Sequence, residues 1–144
     1  MATSGPTLIQ LDQLPAVECP CGAARRGFAD RADFPGTVHL TEIDRNARTH
    51  YHKHHTEVYV VLECQEDAAI ELDGKLIPVQ PKSSVLIPPL TRHRAVGNME
   101  VLIFCLPKFD PADEFFDAPP KPTVPKPTAP KPAGLDHTPP NHTA

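Results

Sequence analysis

The stretch THYHKHHTEVYVVLE occupies residues 49–63 and contains four histidines and a carboxylate within eight positions. The run that follows the histidines is rich in valine and also holds a tyrosine, residue types that favour a half-buried β-strand. Side chains two positions apart on a strand point to the same face, so His50 and His52 are predicted to aim at one point. Glu57 stands an odd number of positions away from both. Residues 53–56 must therefore form a turn or bulge that resets the alternation and turns Glu57 back towards the histidines.

Imidazole and carboxylate groups in this pattern are typical ligands of transition-metal ions. Taken alone, the cluster is explained equally well by a solvated loop that is rich in histidine. A second segment favours the metal site, because His93 follows the turn marked by Pro88-Pro89 and opens a short strand. If the sheet curls over, three imidazoles and one carboxylate converge.

The rest of residues 37–106 also has the pattern of short strands separated by turns. Asp73-Gly74 is the strongest hairpin signal, since this pair favours a tight turn between two antiparallel strands. No amphipathic helix interrupts the series, so the sequence predicts an all-β sandwich or barrel. The predicted strands cover residues 37–43, 49–52, 58–63, 68–72, 75–77, 84–87, 93–96 and 100–106.

Size and charge narrow the functional class. The chain has 144 residues and a formal net charge of -4, so it lacks the basic surface expected of a nucleic-acid-binding protein. No apolar run approaches the roughly 18 residues that a membrane span needs, and the first ten residues do not resemble a secretory signal. The four cysteines are expected to remain thiols. We expect a cytoplasmic, soluble protein.

Both ends of the chain differ from its centre. Residues 1–36 are predicted to form an N-terminal arm with a loop. In it, Cys19 and Cys21 are either half of a zinc site or ordinary thiols in a tight turn, and their spacing favours the turn. Arg25 and Arg26 are either ligands for an anionic substrate group or part of a solvated basic turn.

The C-terminal part contains one predicted helix. It begins at the N-cap Asp110, which is followed by Pro111 and acidic residues, and it should lay Phe115 or Phe116 against the barrel. Nine of the 19 prolines lie from Pro119 onward. Residues 118–144 are therefore predicted to be a disordered, proline-rich tail, and residues 37–117 to form the barrel with its short helix.

Taken together, these segments resemble a small single-domain cupin, the RmlC-like jelly-roll of the type-2 superfamily. The first motif of that family reads His-x-His, three or four residues, then Glu, which His50, His52 and Glu57 match. Its second motif contains Pro-x-Gly, two residues and His, which Pro88 and His93 match. The resemblance covers residues 37–106. It implies a double-stranded β-helix barrel with a short C-terminal helix.

The chain departs from the motifs where they usually have glycine. Lys82 or Ser83 and Leu90 replace glycines of the second motif, Cys64 replaces the last glycine of the first, and Gly97 stands in the place of an asparagine. These changes affect turns and leave the ligand positions intact. In an alternative register His52 and His54 form the pair, but only two residues would then precede Glu57. In the preferred register His54 and His55 lie at the tip of the turn and are expected to be solvated.

The resemblance implies metal ligands at His50, His52, Glu57 and His93 around one divalent ion, such as Fe²⁺, Mn²⁺, Zn²⁺ or Ni²⁺. Tyr59 shares a face with Glu57 and is predicted to act in catalysis, whereas His39 is a weaker candidate for the same cavity. The favoured function is an enzyme for a small polar metabolite, of dioxygenase or isomerase/epimerase type. The alternative is a metal- or metabolite-binding module without turnover, in the manner of a sensor. Small barrels of this family commonly pair through an edge strand, so a homodimer is expected.

Overall fold

The structure is a computed structural model, and it describes residues 4–19, 21–44 and 46–118. Within these residues the chain forms β-strands joined by short turns, with two single turns of 3₁₀ helix at Leu11–Gln13 and Pro111–Asp113. None of the helices in the described part of the chain is long and apolar enough to span a membrane. The strands are β1 (Val17–Cys19), β2 (Gly22–Gly27), β3 (Thr37–Ile43), β4 (Thr56–Cys64), β5 (Ala69–Leu72), β6 (Lys75–Pro78), β7 (Ser84–Ile87), β8 (His93–Val96) and β9 (Met99–Leu106).

The strands form two antiparallel sheets. One has six strands in the order β1-β2-β3-β9-β4-β7, and the other has three in the order β6-β5-β8. The apolar core contains residues from both sheets, including Val61, Ile70 and Val101, which have no exposed surface. The fold is therefore the predicted all-β jelly-roll, in which two curved sheets enclose one interior.

The inner wall of the larger sheet changes character along its strands. In the register of the sheet, Ile43 pairs with Met99 and packs in the apolar core. Towards the other end of the same wall, the inward-facing residues Thr37, His39 and Glu57 are polar and buried. Burial of polar groups is costly unless they have partners, so these residues indicate a candidate site at this end of the barrel.

Most of the predicted strands are confirmed within a residue or two at their ends. The Asp73-Gly74 turn joins β5 to β6, and both residues have positive φ, 48° and 83°, as a tight hairpin turn requires. The histidine strand is shorter than predicted. His50 and Tyr51 make isolated bridges on opposite sides, to His93 and Phe115, instead of joining a continuous ladder.

The prediction of an N-terminal arm with a loop for residues 1–36 is wrong for part of that range. β1 and β2 lie within it and extend the larger sheet beyond β3. β2 has the sequence Gly-Ala-Ala-Arg-Arg-Gly, which lacks strand-forming residues. It is a strand because it pairs with β3 along its whole length. The two strands approach so closely at Gly22 that a Cβ atom there would lie 2.0 Å from the Glu42 carbonyl oxygen.

The predicted C-terminal helix is one 3₁₀ turn, Pro111–Asp113. Its N-cap is Asp110, as predicted, and the Asp110 side chain accepts a hydrogen bond from the Ala112 N–H. The chain then becomes extended, and Phe115 packs its ring on Tyr51. Most of the predicted disordered tail, residues 119–144, lies outside the described residues.

Candidate metal centre

The segment that carries His50 and His52 is held from both sides. The His50 N–H donates to the His93 carbonyl oxygen at 3.1 Å, and the His93 N–H donates back to His50 at 2.9 Å. On the other side the Tyr51 N–H donates to the Phe115 carbonyl oxygen at 2.9 Å. The backbone alternation turns His50 and His52 inward, while Tyr51 stacks on Phe115 with 5.6 Å between ring centroids.

Asp113 fixes the turn between His52 and Glu57. Its carboxylate accepts hydrogen bonds from three successive backbone N–H groups, those of Lys53, His54 and His55, at 2.9 to 3.0 Å. Burial raises the pKa of Asp113, but the three N–H donors outweigh burial and leave that pKa below its ordinary value. The bound turn resets the strand alternation, so that Glu57 begins β4 facing the histidines.

These elements bring together four side chains that the sequence analysis named, and their ligand atoms all lie within 4.8 Å of one another. Glu57 Oε2 lies 3.1 Å from Nε2 of His93 and 3.2 Å from Nε2 of His52. The rings of His50 and His93 lie 4.3 Å apart between centroids. The members are His50, His52, Glu57 and His93, of which the last three are buried.

The Nδ1 atoms fix how each imidazole presents its Nε2 atom. In His50, His52 and His93 the Nδ1 atom lies 2.8 to 3.0 Å from a backbone carbonyl oxygen. A carbonyl oxygen only accepts hydrogen bonds, so Nδ1 carries the proton in each ring. In the neutral imidazoles the Nε2 lone pairs are then directed into the cluster, which is the orientation that metal-binding histidines adopt.

The charge states follow from burial and from the shared carboxylate. Burial, with the nearby His93, lowers the pKa of His50 to about 4, so this imidazole is neutral at pH 7. Burial alone would raise the pKa of Glu57, but its hydrogen bond with His93 and its close contact with His52 outweigh burial and hold that pKa well below the ordinary range. Glu57 is consequently a buried, ionised carboxylate. Burial lowers the pKa of His52, but the contact with Glu57 reverses this and raises it.

This arrangement fits a cation in the middle of the cluster. Nε2 of His52 is fully buried and has no hydrogen-bond partner of acceptable geometry, although Glu57 lies 3.2 Å away. A lone pair on nitrogen that faces a carboxylate oxygen at this distance is repelled, unless a proton or a metal ion lies between them. The donor set of three imidazoles and one carboxylate is one that divalent transition metals accept.

A cavity of about 500 Å³ opens onto the cluster and is lined by His50, His52 and Glu57. Tyr59 also lines it and packs its ring edge-on against His93, with 6.0 Å between centroids. Burial raises the pKa of Tyr59 well above its ordinary value, so the phenol keeps its proton at neutral pH. The structure therefore places the predicted catalytic tyrosine beside the cluster, where its role stays a prediction.

The remaining histidines of the sequence analysis have different positions. His39 lines the cavity, and its Nε2 hydrogen-bonds to Thr37 Oγ1 at 2.8 Å. His54 is exposed and lies outside the cluster, which disfavours the alternative register. The expectation that His55 is solvated is wrong, because His55 is 2% exposed and its ring stacks on Phe109.

A second group of possible ligand atoms consists of His52, His55 and Asp113. Its carboxylate already accepts the three backbone N–H bonds described above. Asp113 Oδ2 also lies 3.3 Å from Nδ1 of His55. The need to hold the histidine turn explains this group without a metal ion.

Sequence reasoning missed the residues that come from distant parts of the chain. Glu114 lines the cavity, and its Oε1 lies 3.9 Å from Nε2 of His50. Cys19 and Cys21 lie at the turn between β1 and β2, where a tight turn was predicted, and from there they line the same cavity with their sulfur atoms 2.9 Å apart. For Glu114 the available signal was the excess of acidic residues at 110–114. The predicted helix cap already explained these residues, so the sequence offered no separate reason to place Glu114 in the cavity.

No protein-family model and no curated protein sequence matches the chain. Among solved structures, a protein from Planctomyces limnophilus is 46% identical over 78% of this chain and 98% of its own length, with a TM-score of 0.76. The chain belongs to the same family as that protein.

More distant structures identify the fold. Streptomyces PAC13, solved with uridine, is 17% identical over 78% of this chain and 90% of its own, with a TM-score of 0.67. Ectoine synthase from P. lautus is 14% identical over 85% of this chain and 100% of its own, with a TM-score of 0.64. Both are cupin-fold proteins, and the present chain has the cupin jelly-roll. In this cupin the candidate metal cluster lies at the polar end of the barrel interior.

Proposed function

We propose that this cupin holds one divalent transition-metal ion through His50, His52, Glu57 and His93, and that it is an enzyme for a small polar metabolite. The observation that carries the proposal is the common orientation of the three imidazoles. Each has its Nδ1 proton bound to a backbone carbonyl, which leaves Nε2 facing a buried carboxylate. Within the cupin fold, we assign the chain to the RmlC-like, type-2 group on the two motifs that its sequence matches.

The cavity gives the proposed centre access to a substrate. His93 is fully buried, while the other three proposed ligands line the cavity. A divalent ion bound there would act as a Lewis acid on a carbonyl or hydroxyl oxygen of the substrate. Burial of His52, Glu57 and His93 strengthens electrostatic interactions at the cluster by limiting their contact with water.

The residues around the cluster favour proton transfer as the chemistry. Tyr59 presents a protonated phenol to the cavity, and Glu114 presents a carboxyl group whose pKa is raised by burial. Two such groups beside a polarised substrate serve as general acid and base. We therefore favour an isomerase or epimerase type of reaction and take the dioxygenase type as the second candidate. PAC13 is described as a nucleoside dehydratase, and such chemistry also needs an acid and a base.

Metal analysis of protein prepared without a histidine tag tests the proposal. We expect about one transition-metal ion per chain, and a loss of about tenfold or more in metal content in His93→Ala and in Glu57→Gln. Glu57→Gln keeps the shape of the side chain and removes its charge, so it separates metal loss from misfolding. His54→Ala is the matched control, because His54 is exposed and outside the cluster.

Unchanged metal content in both cluster variants, or metal loss in the His54 control, would contradict the proposed centre. The reaction type is tested on the metal-containing protein with a panel of sugar-like and keto compounds. Solvent deuterium incorporation without oxygen uptake supports proton transfer, and oxygen uptake supports the dioxygenase type. Metal binding without turnover of any compound class would leave the binding module as the function.

A further inference from the structure

Arg26 has no carboxylate partner among the residues that the structure describes. Its Nε atom is fully buried and makes no hydrogen bond, and its guanidinium forms no ion pair with any described carboxylate. This is unusual in a protein of net charge -4, where acidic groups outnumber basic ones. Four other arginines pair with carboxylates, in the pairs Arg25–Glu42, Arg31–Asp33, Arg92–Asp117 and Arg94–Glu71.

The position of Arg26 is fixed by the sheet and by an aromatic ring. It pairs with His39 in the register between β2 and β3, and both residues line the cavity of the metal cluster. The guanidinium lies over the Phe109 ring, 4.2 Å from its centroid. Stacking of this kind holds the plane of the guanidinium and leaves its edge, with the N–H donors, free to bind.

The Nε donor of Arg26 is buried without a partner, which carries an electrostatic cost because this N–H loses water and gains no acceptor. Arg26 is therefore a positive group on the cavity wall that forms no ion pair with a described carboxylate, and its charge acts on the neighbouring Cys19 thiol. A ligand that brings an anionic group into the cavity would satisfy it.

Arg26 and the metal cluster lie on different parts of one wall. Arg26 on β2 is in the same cross-strand row as His39 on β3, Ile103 on β9 and Tyr59 on β4. Three strand spacings of about 4.8 Å separate the backbones at the two ends of that row. A molecule that contacts both must therefore carry its anionic group several bonds away from the atom held at the metal.

We propose that Arg26 is the anion-binding group of the cavity, and that the substrate is a small carboxylate whose other end reaches the metal cluster. This inference rests on the proposed function only where it places the other end of the substrate at the metal. A carboxylate fits better than a phosphate because Glu18 and Glu114 also line the cavity and oppose a dianion more strongly than a monoanion. The planar fork of arginine matches the two oxygens of a carboxylate.

Calorimetric titration with malonate, succinate and glutarate tests the proposal, with inorganic phosphate as the competing probe. One end of a dicarboxylate can bind Arg26 while the other reaches the metal, so affinity should depend on chain length. We expect Arg26→Gln to weaken the best of the three about 10- to 100-fold, since it removes charge-assisted hydrogen bonds. Arg26→Lys should give an intermediate loss, because it keeps the charge and loses the fork.

Arg25→Gln is the matched control, since Arg25 is the neighbouring arginine and pairs with Glu42 on the outer face. It should bind the probes as the wild type does. Thermal unfolding of each variant checks that the fold is intact. Equal affinity in wild type and Arg26→Gln, absence of binding to the wild type at millimolar concentration, or tighter binding of phosphate than of any dicarboxylate would each overturn the proposal.

The same titration on Glu57→Gln separates the two proposals. If the chain binds no metal, the proposed function fails, but a loss of carboxylate affinity on Arg26→Gln still supports the anion site. If the chain binds metal and Arg26→Gln changes no affinity, only the anion site fails.

Discussion

At the scale of single residues, the two cysteines on the cavity wall differ in acidity. A hydrogen bond from Cys21, assisted by backbone contacts and by the charge of Arg26, lowers the pKa of Cys19 to about 6 against the effect of burial. The same contact, with burial, raises the pKa of Cys21. Cys19 is therefore a thiolate and Cys21 its thiol donor at neutral pH. The thiolate is the nucleophilic form of cysteine.

We predict that alkylation of Cys19 by iodoacetamide reaches half its maximal rate near pH 6. A lowered pKa means that the reactive form is present above that pH and is lost as the pH falls through it. Mass spectrometry of peptides labelled over a pH series measures the midpoint for each cysteine. Cys21→Ser removes the thiol donor and should move the midpoint of Cys19 upward. A Cys19 midpoint near 8.5, the value of a free thiol, would contradict the assignment.

The sequence was informative at this scale where the chemistry is local. His50, His52 and Glu57 lie within eight positions, so strand alternation and one turn were enough to predict that they face each other. The hydrogen bond from the His55 N–H to Asp113 joins residues 58 positions apart, and no sequence pattern near either residue predicts it. The inward direction of Arg26 depends on β2, which exists only through its pairing with β3.

At the scale of elements, the turns that lack the glycines of the cupin motifs keep the backbone that glycine favours. Lys82 has φ 76° and Leu90 has φ 70°, both in the left-handed region. These departures were expected to change the shape of the turns, but Lys82 and Leu90 adopt the positive φ that glycine favours, at a cost in conformational energy. That cost is about 1–2 kcal/mol for a residue with a Cβ atom.

We predict that Lys82→Gly raises the free energy of unfolding by about 0.5–1 kcal/mol. The gain is the relief of the Cβ contact, less the entropy that glycine adds to the unfolded chain. Chemical denaturation followed by fluorescence or circular dichroism measures it. Lys82→Ala is the control, because alanine keeps the Cβ atom and should bring no gain. Lys82 is exposed, so the substitution removes little packing. A loss of stability in the glycine variant would contradict the reading of this turn.

Element boundaries show why part of the fold was not predictable. β3, β7 and β8 have the residue types of half-buried strands, and their bounds match the prediction. β1 and β2 lack that composition, and pairing within the sheet decides their structure. The cupin motifs identified the centre of the barrel and gave no information about the strands that extend it.

At the scale of the whole molecule, the outer face of the larger sheet is apolar where a solvated face would be polar. Leu86 is 63% exposed and Phe104 is 37% exposed. They lie in one cross-strand row of outward-facing apolar residues, and a second row runs beside it. The first row is Val38, Phe104, Val58 and Leu86, and the second is Leu40, Leu102 and Val60.

We propose a second copy of this chain as the partner that covers this face, and we predict a homodimer in solution. The two rows present apolar side chains on β3, β9 and β4, with Arg25 at the β2 end of the second row, and a two-fold dimer would bury the same apolar patch on both copies. Pairing through an edge strand is what the resemblance to small cupins implies. β7 is an edge strand and carries Leu86, so it would lie at the border of the proposed interface.

Phe104→Glu tests the dimer, because it puts a charge in the row that the interface would bury, and burial of an unpaired charge is strongly unfavourable. We expect wild-type protein to sediment as a dimer and the variant as a monomer with an unchanged circular dichroism spectrum. Leu76→Glu is the control. Leu76 is 54% exposed on β6 of the other sheet, so the variant should remain dimeric. A monomeric wild type, or a dimeric Phe104→Glu variant, would contradict the proposed interface. Dissociation of the Leu76→Glu variant alone would also contradict it and would indicate an interface at the edge of the smaller sheet instead.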